Sequence, residues 1–406
     1  MAVCGLVALL SAPARADGPG LKFGDARLHP YLELESWFDS AAATVGVETN
    51  RYEIVGDLVF HIRPGFKLEV PSSPVALTWV GYFDWAQPAG VINPDTTNAR
   101  HWGLDSDLDV AFNREGQVVL DVGDHVVRSD QNTSTPSLYY GTLSLLNEAR
   151  VRLSFRPYNG ALTIEPGYRF GVEVFSPLSS IDTCTSGSDP NGCQLASLSM
   201  FDYMDHTVTL NARWKFFPKT ALTFDSAFGA REYINPGSTN IMTFTAAVGA
   251  AGLLTTHWSV LLRVGWGQDL TMQSYSSVIG QAEVAYLFSE TASVRLGYVR
   301  TFAPTGGTYL SFGDDRGYLD GRVLLGGKLT AHGAVAFDYI SLRGPEIEMD
   351  QYKTSLDLGV DYELKEWLTI GGGYRFSYIT SSNGLVYSGL DSFTRHEVFL
   401  RLQLVY

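Results

Sequence analysis

The chain ends in His396–Tyr406, HEVFLRLQLVY. Val398, Leu400, Leu402, Leu404 and Tyr406 fall on one side of an extended chain, and Glu397, Arg401 and Gln403 fall on the other. Successive side chains of a strand point to opposite faces, so this segment has one apolar and one charged face. A single strand of this kind says little. The same alternation recurs back to Leu28 in segments of about ten residues separated by turn residues, and that recurrence decides the fold class.

Composition agrees. Aromatic residues make up 13% and Gly 41 of the 406 residues, yet no stretch approaches the roughly 18 apolar residues of a membrane-crossing helix. Mean hydropathy is near zero, as expected when alternating strands cancel on averaging. No linker, composition shift or capped amphipathic helix divides the chain. The formal charge of −14 argues against nucleic acid as a partner.

Several segments repeat the logic. Trp102, Leu104, Leu108, Val110 and Phe112 alternate with Asp105, Asp107 and Asp109. Leu162, Ile164, Tyr168, Phe170, Val172 and Val174 alternate with Glu165, Arg169 and Glu173. Val260, Leu262, Val264 and Trp266 alternate with Arg263 and glycines, and Leu356, Leu358, Val360 and Tyr362 with Asp357 and Asp361. A soluble sandwich would hide the apolar face in a core and would not need so many aromatics at strand ends. No blade-length repeat marks a propeller. The expectation is an all-β chain: a transmembrane antiparallel up-and-down β-barrel of about 18 strands.

The ends fit export to an outer membrane. Val3–Leu10 is a short apolar run followed by Ala14-Arg15-Ala16, so residues 1–16 read as a signal peptide and residues 17–406 as the barrel. The last segment resembles the closing strand of Gram-negative outer-membrane barrels, whose terminal aromatic, here Tyr406, is read by the barrel assembly machinery. Outer-membrane lipid is then the surrounding solvent.

Connections alternate in length. Short ones are expected at Arg63-Pro64-Gly65, Asn113–Gly116, Pro157–Gly160, Phe217–Thr220, Thr255–His257, Ser289–Thr291, Thr330–Gly333 and Lys365–Trp367. Long polar ones include Ser40–Asn50, Gln87–Ala99, Ser129–Leu146 and Ser176–Met200. This alternation puts both termini in the periplasm. Phe66–Pro74 is assigned to the first periplasmic connection.

A barrel this wide leaves an aqueous channel, whose water can solvate charged walls. Asp105, Asp107, Asp109 and Asp121 are expected on its inner face, with Arg150, Arg152 and Arg156 on the next strand and Arg169, Arg213 and Arg263 beyond. An acidic ladder beside a basic one either sets a transverse field that screens solutes or pairs with itself across strands. Inner aromatics are few: Tyr31, Trp37, Tyr82 and Tyr318. Arg300 and Asp124 fall on the lipid-facing parity, so bulges or rim positions are expected there. Cys184 and Cys193 bracket TSGSDPNG in the longest exterior loop, where an oxidising compartment favours a disulfide. The eight histidines are scattered, and no nucleophile order or metal spacing is legible. Catalysis, cofactor and metal are therefore not expected.

Two stretches carry a family resemblance. DVAFNREGQVVLDVGDHVVRSD (Asp109–Asp130) and NEARVRLSFRPYNGALTIEPGYRF (Asn147–Phe170) resemble β-barrel proteins that accompany exopolysaccharide and exosortase gene clusters. The matching residues are Arg128 with Asp130, Asn147, Arg156-Pro157 and Gly167-Tyr168, and Val278–Pro304 resembles the same group. The resemblance implies a porin-like barrel through which a polysaccharide polymer, delivered by a periplasmic polysaccharide export protein, passes without catalysis. The rival is a general or weakly charge-selective diffusion porin for small hydrophilic solutes.

Overall fold

The computed structural model describes residues 20–48, 51–72, 74–130, 142–157, 160–177, 201–235, 239–271, 275–304, 311–343, 348–382 and 392–406. A short strand, β1 (Leu21–Phe23), precedes eighteen long ones. These are β2 (Ala26–Glu48), β3 (Arg51–Pro71), β4 (Val75–Pro88), β5 (His101–Phe112), β6 (Val118–Ser129) and β7 (Thr142–Phe155). Next come β8 (Leu162–Pro177), β9 (Tyr203–Phe217), β10 (Thr220–Tyr233), β11 (Ile241–Leu253), β12 (Trp258–Asp269) and β13 (Ser276–Ser289). The last six are β14 (Ala292–Pro304), β15 (Ser311–Leu325), β16 (Leu329–Arg343), β17 (Glu348–Lys365), β18 (Leu368–Ser381) and β19 (Ser392–Val405).

Each long strand pairs antiparallel with the next, and β19 returns to pair with β2 from Glu397↔Asp39 to Val405↔Tyr31. The sheet is a closed barrel. The Tyr406 N–H donates to the Pro30 carbonyl at 3.0 Å. Beyond that point β1 covers the open edge of β2, with Leu21 opposite Leu28. Closure leaves few backbone groups unpaired, the condition for crossing hydrocarbon with strands.

The apolar face points out and stays uncovered: Val264 is 58% exposed and Leu400 70%. Side chains of this kind encircle the wall, far more apolar surface than a soluble monomer exposes. Aromatic rings edge both rims of the band. On the short-turn side Trp258 meets Tyr286 at 4.7 Å, and Phe216 meets Phe217 at 4.8 Å. On the long-loop side Phe83 stacks with Trp102 at 6.1 Å. About ten residues of tilted strand separate the two rims, roughly 25 Å of height, which matches the apolar band of outer-membrane barrels. The chain is an outer-membrane β-barrel with both ends on the periplasmic, short-turn side.

Outward polar groups in the middle and upper parts of the wall are satisfied by one another. Arg300 pairs with Asp315 at 3.0 Å and donates to Ser277 Oγ at 3.2 Å. Asn147 donates to Asp124 at 3.3 Å, while Tyr168 and Tyr374 hydrogen-bond His206 and His396 at 2.7 and 2.8 Å. The ladders run without interruption past Arg300 and Asp124, so neither is a bulge; Arg300 lies near the exterior end of β14, whereas Asp124 lies at the middle of β6 and not at the rim.

Three expected connections are corrected. Arg63-Pro64-Gly65 is not a turn but lies inside β3, where Gly65 faces Tyr31 on β2 and the Tyr31 ring fills the space a Cβ there would need. The strand continues through Phe66–Pro71, so the first periplasmic connection starts only after Pro71 and ends before Val75. Thr330–Gly333 lies inside β16, and the turn before it uses Gly326 and Gly327 at φ +58° and +72°. Two successive left-handed residues are what a tight hairpin needs, and glycine adopts them without strain. Ser40–Asn50 is mostly strand as well, since β2 runs on to Glu48.

The division of faces makes a clear test. Leu262→Arg puts a charge at mid-height on the lipid side and is expected to destabilise the barrel by about 2–4 kcal/mol. Urea titration of the barrel in vesicles, followed by heat-modifiable gel migration, reads this. An unchanged midpoint contradicts the assigned face.

Candidate functional site: the barrel lumen

The inner wall is charged, and its charges answer one another. Asp105, Asp107 and Asp109 stand on β5, Asp121 on β6, and Arg150 and Arg152 on β7. Arg150 reaches Asp107 at 2.7 Å and Asp109 at 2.8 Å. It can cross β6 because Gly123 sits between them in register, opposite both Asp109 and Arg150. Arg152 pairs with Asp121 at 3.3 Å, and Asp105 with His125 at 3.3 Å. The two ladders thus pair with each other. Arg156 falls outside the ladder, because β7 ends at Phe155; at the periplasmic rim it donates to the Arg114 carbonyl at 3.4 Å.

Further along the wall Arg169 pairs with Glu148 at 3.2 Å and Arg263 with Asp225 at 2.9 Å. Arg213 faces inward and makes no ion pair among the described residues. Cys184, Cys193 and residues 1–16 lie outside the described residues. Tyr406 is exposed on the outer, lipid-facing side at the periplasmic rim.

A second network straddles the closing seam. Arg63 on β3 binds Glu33 at 3.1 Å, Glu35, and Asp84 at 3.1 Å, and His61 adds a 3.0 Å contact to Asp84. Arg395 binds Asp39 at 2.6 Å, and Arg401 binds Asp361 at 2.5 Å. Trp37 is buried among them, stacked on Phe399 at 5.3 Å with the Arg375 guanidinium 4.9 Å from its ring. Removing one partner from such a buried set leaves a desolvated charge, at a cost of about 3–5 kcal/mol. The seam is therefore fastened by backbone ladders and by side chains.

Toward the exterior the lumen changes character. Phe175, Phe201 and Tyr203, at the outer ends of β8 and β9, form one buried cluster with Ile340, Leu342 and Met349 of β16 and β17. Six strands, β10 to β15, separate these groups along the wall. The contact therefore crosses the lumen and narrows it. The Tyr203 hydroxyl donates to the Glu173 carboxylate, and the Arg231 guanidinium lies 3.6 Å from the Tyr203 ring while pairing with Asp205 at 2.8 Å. Just before β9, Asp202 accepts from the Phe175 N–H at 2.8 Å. Burial pushes its carboxyl above the ordinary range, against that hydrogen bond.

The connection between β4 and β5 also folds inward. Asp57, a fully buried inner residue of β3, accepts from the N–H groups of Gly90, Val91 and Ile92 at 2.5, 3.2 and 3.1 Å and from Thr96 Oγ1 at 2.5 Å. A single carboxylate thus holds this loop, with its short 3-10 helix Pro94–Ala99, against the inner wall. An apolar constriction of this kind can bar ions by excluding water.

Sequence reasoning missed the mouth cluster. Its signal was local: in Tyr339-Ile340-Ser341-Leu342 the inward parity stays apolar where Asp338 had just been charged.

No family model matches the sequence, and no curated protein does. Among solved structures, the chain is similar to a mutant of the ferric enterobactin receptor PfeA of Pseudomonas aeruginosa (9% identity, TM-score 0.49, covering 95% of this chain and 81% of that one). It is also similar to OccAB3 of Acinetobacter baumannii (12% identity, TM-score 0.49, 95% and 100%) and to the siderophore receptor PirA of P. aeruginosa (10% identity, TM-score 0.47, 95% and 81%). At this level the likeness carries no information about cargo.

Constriction at the mouth is testable. Leu342→Ser with Met349→Ser should raise single-channel conductance in planar bilayers several-fold, and Asp57→Ala, which frees the inward loop, should raise it further. Conductance unchanged in both variants contradicts a lumen constricted at this level.

Proposed function

We propose that the barrel is a passive, non-catalytic conduit that carries a hydrated polysaccharide across the outer membrane, handed on by a periplasmic polysaccharide export protein. The observation that carries the reading is the self-paired inner wall. A wall of matched acids and arginines offers a sugar many hydrogen-bond donors and acceptors and little net charge. A polymer can then exchange contacts with water step by step and move on without being held. The resemblance of Asp109–Phe170 to barrels of exopolysaccharide clusters points the same way.

The apolar mouth weighs against a general or weakly charge-selective diffusion porin, which works as a standing opening. A polymer driven from the periplasm could part the Phe175–Leu342 cluster from below, and the cluster would close behind it. Tyr406, exposed at the periplasmic rim, is available to the assembly machinery.

Deletion of the gene tests this directly. Surface polysaccharide should disappear while uptake of small hydrophilic solutes stays normal. Normal surface polysaccharide with slowed uptake contradicts the conduit and supports the diffusion porin.

A further inference from the structure

The paired wall leaves a remainder, and the remainder is positive. Arg213 and Lys215 on β9 and Arg322 on β15 lie on the inward parity and make no ion pair among the described residues. All three stand within five residues of the periplasmic ends of their strands, Phe217 and Leu325. Of the inward acids near that rim, Glu363 on β17 and Glu165 on β8 also make no ion pair among the described residues, Glu165 accepting only from Ser154 Oγ at 2.9 Å, so three such cations face two such acids.

Arg322 also lies on the edge of a lumen cavity of about 330 Å³ along the inner faces of β14 to β19. The cavity is lined by Arg295, Arg316, Arg322, Lys353, Arg375 and Arg401, against the acids Asp320, Asp357, Asp361 and Glu397. Much of this charge is paired: Arg295 holds Asp320 at 2.9 Å, Arg375 holds Asp357 at 3.0 Å, and Lys353 stands opposite Asp338 in register. Among the described residues, unpaired cations thus outnumber unpaired acids where a polymer would enter from the periplasm, although the chain as a whole carries −14.

From this arrangement we infer that the cargo is a polyanion, a polysaccharide bearing carboxylate or other acidic sugars, first engaged by Arg213, Lys215 and Arg322. The inference rests on the conduit reading and names its substrate class. Guanidinium groups suit carboxylates through paired N–H donors, and contacts at a wet rim are weak enough to release the chain upward. Deeper in, the paired wall takes over, so attraction acts at loading and not along the whole path.

Calorimetry on the full-length barrel in detergent, with hexagalacturonate and maltohexaose as probes, tests the inference. At low salt hexagalacturonate should bind about tenfold more tightly than maltohexaose and weaken as salt rises. Arg213→Gln with Lys215→Gln and Arg322→Gln should remove that preference, while Arg322→Lys alone retains it and guards against a folding artefact. Equal affinity for the two probes, or a preference unchanged in the triple variant, overturns the inference. The two readings fail separately. Equal affinity with surface polysaccharide lost on deletion keeps the conduit and rejects the acidic cargo. A hexagalacturonate preference with surface polysaccharide intact keeps the anion site and rejects the conduit.

Discussion

Hydrocarbon cannot hydrogen-bond a peptide group, and everything else in this barrel depends on that. A sheet that crosses a membrane must satisfy every N–H and C=O within itself, so its first and last strands have to meet. Here they meet between β2 and β19, with β1 covering what remains of the β2 edge. Closure fixes which parity of each strand faces lipid. It then forces the other parity to line a common interior, and the chemistry of that interior is the chemistry available for function.

Because the interior is wide and wet, it tolerates charge, but it is not left unbalanced. Arginines reach carboxylates on the neighbouring strand or across one strand to the next, helped at one point by the missing side chain of Gly123. At the seam the same tactic ties together β2, β3, β4, β17 and β19. The arrangement stiffens the wall and removes most of its field. What stays outside the balance then matters: an apolar contact at the exterior mouth and a few free cations at the periplasmic one. Among the described residues, the lumen runs from a periplasmic rim with a few unpaired charges, through a paired wall, to an apolar cluster at the exterior end.

Much of the fold was legible in the sequence because a two-residue period carries it. The alternation in His396–Tyr406 or Trp102–Phe112 leaves no doubt about faces, and most short turns carried Gly, Pro or Asn. The misplaced turns failed for local reasons. Pro64-Gly65 looks like a turn, yet in β3 the glycine is needed because Tyr31 lies over it. Thr330–Gly333 has one glycine, whereas the neighbouring Gly326-Gly327 supplies two left-handed residues. The lumen was less legible. Strand parity places a residue inside but does not say which residue stands opposite across the channel, so the meeting of Phe175 with Leu342 had no trace in any period. The pairing of Arg150 across β6 depended equally on register, which alternation alone does not set.

The most direct test of the account fixes the mouth shut and watches the polymer. Cysteines placed at Phe175 and Leu342, in a chain with Cys184 and Cys193 changed to serine, would be joined by a short thiol crosslinker. Surface polysaccharide should fall when the crosslink forms and recover when a cleavable linker is cut. Polymer that keeps reaching the surface with the mouth covalently closed would show that it travels by another route.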